Sequence, residues 1–239
     1  MSEYLTLLVY GNSKAGKTWL GASSPKPILT LDAEAGGMRF VPGRKITWDG
    51  WSEPPQAGDW DICIVDTVDV DTANRALDWV MTGKTPFKSI VIDSISELQD
   101  RIVRSLKAQN GGDMRFQEWG KLLDMATDLA VKGRDVCAAV DTIEALVVIA
   151  GMESVNGQKY PMLQGKLRQK LPYKLDAHGM LQVTTDDNGN LRRVLQLVDT
   201  KDASGGARLG GLLNDWEWDP NVTELLQKMN NKQNPSVNS

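Results

Sequence analysis

Eight consecutive residues, Gly11-Asn12-Ser13-Lys14-Ala15-Gly16-Lys17-Thr18, fit the pattern G-x-x-x-x-G-K-[ST] at every position. The chemistry this spacing serves is phosphate binding. Glycines let backbone N–H groups turn inward around phosphate oxygens, and the N-terminus of a following helix adds partial positive charge. Lys17 would reach the β- and γ-phosphates, and the Thr18 hydroxyl would bind Mg²⁺. ATP and Mg²⁺ are therefore the expected cofactors. Lys14 reads as a solvated loop charge: a second signature lysine would stand next to the first glycine, where this chain has Asn12. A chance glycine turn could show the same letters, but it would lack the flanks found here. An apolar run, Leu5 to Tyr10, precedes the loop, and a helical start, Thr18 to Ala22, follows it.

Phosphoryl transfer also needs an acid on the Mg²⁺ side, at the end of a buried strand. Two segments compete, ICIVDT ending near Asp66 and SIVIDS ending near Asp93. Asp93 is favoured, because a turn at Thr85-Pro86 and a well-patterned helix carrying Glu97 flank its strand. Asp66 runs into Asp69 and Asp71, which suits a surface turn. A third group, Leu31-Asp32-Ala33-Glu34, ends the second strand, which is expected beside the loop strand. A carboxylate there could orient or deprotonate the attacking water. Equally, Asp32 or Glu34 could simply cap a turn before Gly36.

The elements that must hold these groups follow from periodicity. Short apolar runs at Leu5 to Tyr10, Ile28 to Leu31, Ile62 to Val65, Ser89 to Ile92 and Ala145 to Ala150 read as buried strands. Helical spacing appears through Ala73–Val80, Ile95–Leu106 and Phe116–Lys132. Residues 42–60 read as an irregular excursion and 133–145 is ambiguous. Leu181 to Thr185 and Leu191 to Val198 flank Asn188-Gly189, a strong hairpin signal. A short helix, Val222 to Met229, closes the pattern. Strands alternating with helices predict an α/β fold with a mostly parallel sheet and a C-terminal antiparallel hairpin. One domain is expected over 1–229, with a frayed polar tail over 230–239.

Composition narrows the function. The chain has 239 residues, a formal charge of −4, two cysteines and one histidine. Cys63, Cys137 and His178 cannot build a four-ligand zinc site, and a lone histidine is a poor basis for triad chemistry. Two cysteines make no disulfide framework, so a reducing, cytoplasmic location fits. The N-terminus lacks the features of a signal peptide, and no run approaches ~18 apolar residues, so no membrane association is expected. The acidic balance argues against a surface that binds polyanions everywhere. Any such partner needs a local basic patch.

Taken together, GNSKAGKT, LTLDAEAGG, KSIVIDSISEL, QEWGKLL and LQGKLRQKLP followed by a hairpin resemble the phage-encoded RecA-like ATPases of the Sak group. These are small single-strand-annealing recombinases. The resemblance spans about Leu5 to Met229. It implies a RecA-like P-loop NTPase core with an extra strand between the two Walker strands. It also implies Glu34 as catalytic glutamate, Asp93 as the Mg²⁺-side acid, and binding of single-stranded DNA alongside a single-strand-binding protein. The chain departs from the group at Ala150-Gly151-Met152-Glu153, where a polar or histidine-bearing segment is usual, and at Lys201-Asp202-Ala203, where Lys-Asp-Arg is common.

A local basic patch does exist. Lys159, Lys166, Arg168, Lys170 and Lys174 occur with no acid between Asn156 and Leu175, and Tyr160 and Tyr173 interleave with them. That mixture suits phosphate contacts plus base stacking. A solvated amphipathic helix would look similar. Lys201 and Arg208 flank the glycine-rich stretch Ser204-Gly205-Gly206 and are candidates to reach the nucleotide of a neighbouring subunit in a ring or filament. The sequence thus points to a DNA-stimulated ATPase that promotes annealing or recombination. A nucleotide-gated loader with little hydrolysis is the rival reading. A small-molecule kinase ranks last, because the basic stretch is mostly lysine and lacks paired arginines.

Overall fold

The computed structural model describes residues 4–186 and 188–233. The loop strand is β1 (Leu5–Tyr10), and α1 (Lys17–Gly21) follows it directly. Next come β2 (Ile28–Asp32), β3 (Lys45–Thr47), β4 (Ile62–Asp66), α2 (Val70–Met81), β5 (Ser89–Asp93), α3 (Ile95–Gln109) and α4 (Phe116–Ala139). The second half holds β6 (Ala145–Ala150), a β7–β8 ribbon (Met152–Val155, Gln158–Pro161), α5 (Leu167–Lys170), β9 (Ala177–Thr185), β10 (Leu191–Gln196), β11 (Gly206–Ala207), β12 (Trp216–Trp218) and α6 (Val222–Gln233).

Among the described residues one ten-stranded sheet runs in the order β12-β10-β9-β1-β6-β5-β2-β4-β3, with β11 added to β9. β1, β2, β5 and β6 are buried along their whole length, as a parallel sheet covered on both faces requires. One face packs Leu8, Tyr10, Ile90 and Val148 against α2, α3 and α4. The other packs Leu7, Val9, Val91 and Ile149 against α1 and α6. β10, β11 and β12 run antiparallel at one edge. This is a RecA-like P-loop NTPase core, with β6 lying between the loop strand β1 and the acidic strand β5.

Several elements differ from the sequence reading. β2 is not beside β1: β6 and β5 separate them, because β2 pairs with β5 and β4. Apolar runs fix that these strands are buried but not their order. The excursion at 42–60 contains β3, whose three residues are too few to show a period. The ambiguous 133–139 continues α4. Gly133 there faces Leu146, and a Cβ would stand 3.1 Å from the Leu146 side chain, so the glycine permits close helix–strand approach rather than a break. Asn156 and Gly157, both with positive φ, turn the β7–β8 ribbon, the same dipeptide logic that marks the later hairpin. The later turn includes residue 187, which lies outside the described residues. The last helix runs four residues beyond Met229 to Gln233, and residues 234–239 of the expected tail lie outside the described range.

Both cysteines are buried, and burial pushes their thiols up to about 12. Among the described residues no helix is long and apolar enough to cross a membrane.

Candidate active site at the phosphate-binding loop

The loop leaves the buried end of β1 and turns into α1 at Gly16, whose φ of 102° is a region that favours glycine. Gly11 is demanded for a different reason. A Cβ there would lie 2.3 Å from the Leu181 carbonyl oxygen of β9, so the loop's first residue can pack on its neighbouring strand only without a side chain. Asn12, Ser13 and Lys14 are exposed, and Lys14 itself has a positive φ of 65°. Ala15 is buried beneath them.

Lys17 folds back over the loop and donates to the carbonyls of Gly11 (2.9 Å) and Asn12 (2.8 Å). Burial lowers its pKa, while the charges of Glu34 and Asp93 oppose that shift.

Thr18 donates from Oγ1 to Asp93 Oδ2 at 2.7 Å. The residue pair that Mg²⁺ chemistry needs is therefore in direct contact between α1 and the end of β5. Asp93 is buried, and its other oxygen, Oδ1, is buried without a hydrogen-bond partner. Burial pushes the Asp93 carboxyl up to about 7; the Thr18 hydrogen bond and Lys17 pull it down, and Glu34 and Asp32 push it further up. A hydroxyl and an orphaned carboxylate oxygen side by side are the hard donors that Mg²⁺ takes, so these residues fit the ion. Gly37 walls the spot: a Cβ there would stand 3.3 Å from Asp93 Oδ2 and 3.4 Å from Thr18 Oγ1. Asp66 ends β4, separated from β5 by β2, and is exposed.

The Asp32/Glu34 pair divides its work. Asp32 is buried and accepts from the backbone N–H of Glu34 (3.0 Å) and Gly36 (3.0 Å), so it caps the turn. Burial raises its pKa against those hydrogen bonds. Glu34 is exposed, and its charge acts on both Lys17 and Asp93. Arg101 of α3 donates to the Ala33 carbonyl and holds the turn from beneath.

Residues 3–209 match the AAA_24 family, described as an AAA domain. The chain belongs to this AAA domain family. It is thus an AAA-type P-loop ATPase domain, with the nucleotide binding that such a domain carries. No curated protein matches the chain. A solved structure similar to it is described as a prototypical ATPase from the type III secretion system of pathogenic bacteria. That chain shares 16% identity at a TM-score of 0.49, and the similarity covers 74% of this chain and 52% of the other. This chain therefore spans about half the length of that structure.

Outside its phosphate loop, the AAA domain gathers the other expected cations unevenly. Arg168 is not free: it pairs with Glu153 (3.1 Å) from β7 and lies over the Tyr160 ring at 5.5 Å. The acid-free stretch in sequence is thus met by an acid from the neighbouring strand. Lys159 sits within β8, where its backbone bonds to Asp202 and Ser204. Lys166, Lys170 and Lys174 are exposed on α5 and the turn after it. Arg208 pairs with Asp176 (3.2 Å) beside β11. β11 pairs with Ala177, which aligns with Leu7 of β1, about 13 Å short of Gly11 at roughly 3.3 Å per residue. Arg208 and this chain's own loop are therefore at different levels of the sheet. Lys201 is exposed and lines one cavity of about 840 Å³ with Arg168, Tyr173, His178 and Arg208. Of the five cations expected to face DNA only Arg168 lines this cavity, beside both candidates for a neighbour's nucleotide, Lys201 and Arg208.

Sequence reasoning passed over two participants. Ser96, at the start of α3, accepts from Gly151 N (3.0 Å) and donates to the Met162 carbonyl (2.8 Å), tying the acidic strand's helix to the segment after β6. Arg193 of β10 reaches the loop itself, donating from Nε to the Ala15 carbonyl at 3.2 Å. Its signal was alternation: Leu195 packs on the α1 face of the sheet, so Arg193, two residues away, shares that face.

Proposed function

We propose that this AAA domain hydrolyses ATP with Mg²⁺ and couples the cycle to single-stranded DNA, as a RecA-like recombinase of the Sak type would in annealing. The observation that carries the ATPase half is the Thr18–Asp93 contact with its orphaned carboxylate oxygen. In this reading Gly11 to Thr18 hold the triphosphate, Lys17 neutralises its developing charge, Thr18 and Asp93 hold Mg²⁺, and Glu34 positions the attacking water. Held by Thr18 and Asp93, Mg²⁺ would supply charge neutralisation to the phosphates.

The DNA half is supported by exposed Lys201 and by Tyr173, which is 82% exposed, at a cavity whose arginines, Arg168 and Arg208, are already paired with Glu153 and Asp176. Exposed lysines on α5 continue the basic surface. An exposed aromatic beside cations suits a stacked base and its phosphate. Arg208, set away from the home loop, and exposed Lys201 suit a role toward a second copy in a ring or filament. A single-strand-binding protein is the partner class that such a cycle would use, in the cytoplasm of a phage-infected host.

ATP turnover by the full chain, with and without single-stranded DNA at low salt, tests this. DNA-stimulated turnover that falls with salt supports the reading, and turnover indifferent to DNA overturns its DNA half. One observation favours a nucleotide-gated loader with slow hydrolysis instead. The end of β6 offers Gly151, whose N–H is already taken by Ser96, where a polar side chain would contact the γ-phosphate. ATP-dependent capture of a protein partner with slow, DNA-independent turnover would select that reading.

A further inference from the structure

We propose that Arg193 is a nucleotide-binding residue contributed by this chain to its own site, at the α-phosphate and nucleoside end of the ligand. The inference rests on the ATPase reading above. The guanidinium lies directly on the loop: Nε donates to Ala15 O, and a Cβ on Gly16 would stand 2.5 Å from Nε and 3.1 Å from Cδ. Gly16 therefore serves two ends, the loop's own turn and room for this arginine.

The charge on Arg193 is only partly met, through a longer-range attraction to Asp219. The acid that could neutralise it, Asp219, accepts from the Arg192 side chain at 2.7 Å and from the Arg193 backbone N–H at 3.0 Å. Asp219 N in turn donates to the Arg193 carbonyl at 2.7 Å. Asp219 thus clamps the Arg193 backbone and pairs directly with Arg192, while it meets the Arg193 charge without a direct ion pair. Among the described residues no carboxylate pairs with the Arg193 side chain, and its terminal amines have no hydrogen-bond partner. An unpaired guanidinium fork beside an anion-binding loop is placed to take two phosphate oxygens.

Sheet order assigns which phosphate. Thr18, Asp93 and Glu34 lie on the β6–β5–β2 side of β1, and that is the end where Thr18 and Asp93 would hold Mg²⁺ and neutralise charge on the transferred phosphate. β9 and β10 lie on the opposite side of β1. Arg193 approaches the loop from there, so its fork is nearer the α-phosphate and the sugar than the γ-phosphate. A residue at that end binds ADP and ATP alike. This separates it from a neighbour's arginine acting on transition-state charge at the γ-phosphate.

The test is fluorescence titration of the full chain with a labelled ADP and a labelled non-hydrolysable ATP analogue, both with Mg²⁺. Arg193→Ala is expected to weaken both ligands about tenfold, as loss of a charged hydrogen-bond donor implies. Arg193→Lys, which keeps the charge but not the fork, should weaken both by less. Unchanged affinities in Arg193→Ala, or loss confined to the ATP analogue, would overturn the proposal. If the unaltered chain binds neither ligand, or Lys17→Ala binds as tightly as the unaltered chain, the ATPase reading itself fails. Circular dichroism melts of each variant separate lost affinity from lost fold.

Discussion

Asp93 is held in a state that opposes folding whenever it is ionised, and Asp93→Asn should expose this in the metal-free protein. Burial moves its carboxyl from an ordinary 3.8 to about 7. The protonated form is thus favoured in the fold relative to the unfolded chain. Its contribution to stability is fully present below about pH 4 and is lost as pH rises through about 7. At about 1.36 kcal/mol per pH unit over a gap of about three units, the loss is about 4 kcal/mol at most. Asparagine keeps an oxygen for the Thr18 hydroxyl but cannot ionise. Its amide would occupy the place of the unpartnered Oδ1, a cost that does not vary with pH. The informative quantity is therefore the difference between variant and unaltered protein, followed from pH 5 to pH 8. That difference should swing by about 3 kcal/mol in favour of Asp93→Asn, about 6–12 °C of melting temperature for a chain of this size. Thermal melts in a chelator, read by circular dichroism, measure it. Parallel pH profiles for the two proteins would refute the reasoning, because they would mean Asp93 carries no uncompensated buried charge.

Three further outcomes follow from the same geometry. Gly11→Ala places a Cβ 2.3 Å from the Leu181 carbonyl, a backbone atom that cannot swing aside. It should cost about 1–3 kcal/mol in a denaturant titration and weaken nucleotide binding together with stability. Glu34→Gln should keep nucleotide affinity within about twofold while turnover drops by at least about 100-fold; normal turnover would place the water-directing group elsewhere. Ser96→Ala leaves the Gly151 N–H without its acceptor and should cost about 1–2 kcal/mol of stability, with faster hydrogen exchange at Gly151 as the local readout.

The parts of this protein legible in its sequence are those where local chemistry dictates residue type. The loop needs glycine at Gly11 and Gly16 and polar donors at Lys17 and Thr18, so eight letters announce it. The preference for Asp93 over Asp66 followed from the flanking turn and helix, and Asp93 is the acid that touches Thr18. What stayed hidden depends on strand order and on partners distant in the chain. Nothing in the letters of β2 says that β5, not β1, lies beside it. Arg168 stands in an acid-free stretch, yet Glu153 reaches it through a ribbon turned by Asn156-Gly157. Arg193 is 178 residues from the loop carbonyl it touches, and only the alternation with Leu195 hinted at its face. Spacing alone does not separate Asp32 from Glu34; burial and two backbone hydrogen bonds tie Asp32 to the turn, while Glu34 is exposed.

In the proposed reading Gly11–Thr18 and Asp93 form one Mg²⁺-dependent ATPase site. Phosphate release from ATP by the full chain, with Mg²⁺ and with chelator, beside Lys17→Ala, measures it most directly. Turnover that requires Mg²⁺ and disappears in Lys17→Ala is the predicted result. Turnover that survives either the chelator or the loss of Lys17 would contradict it.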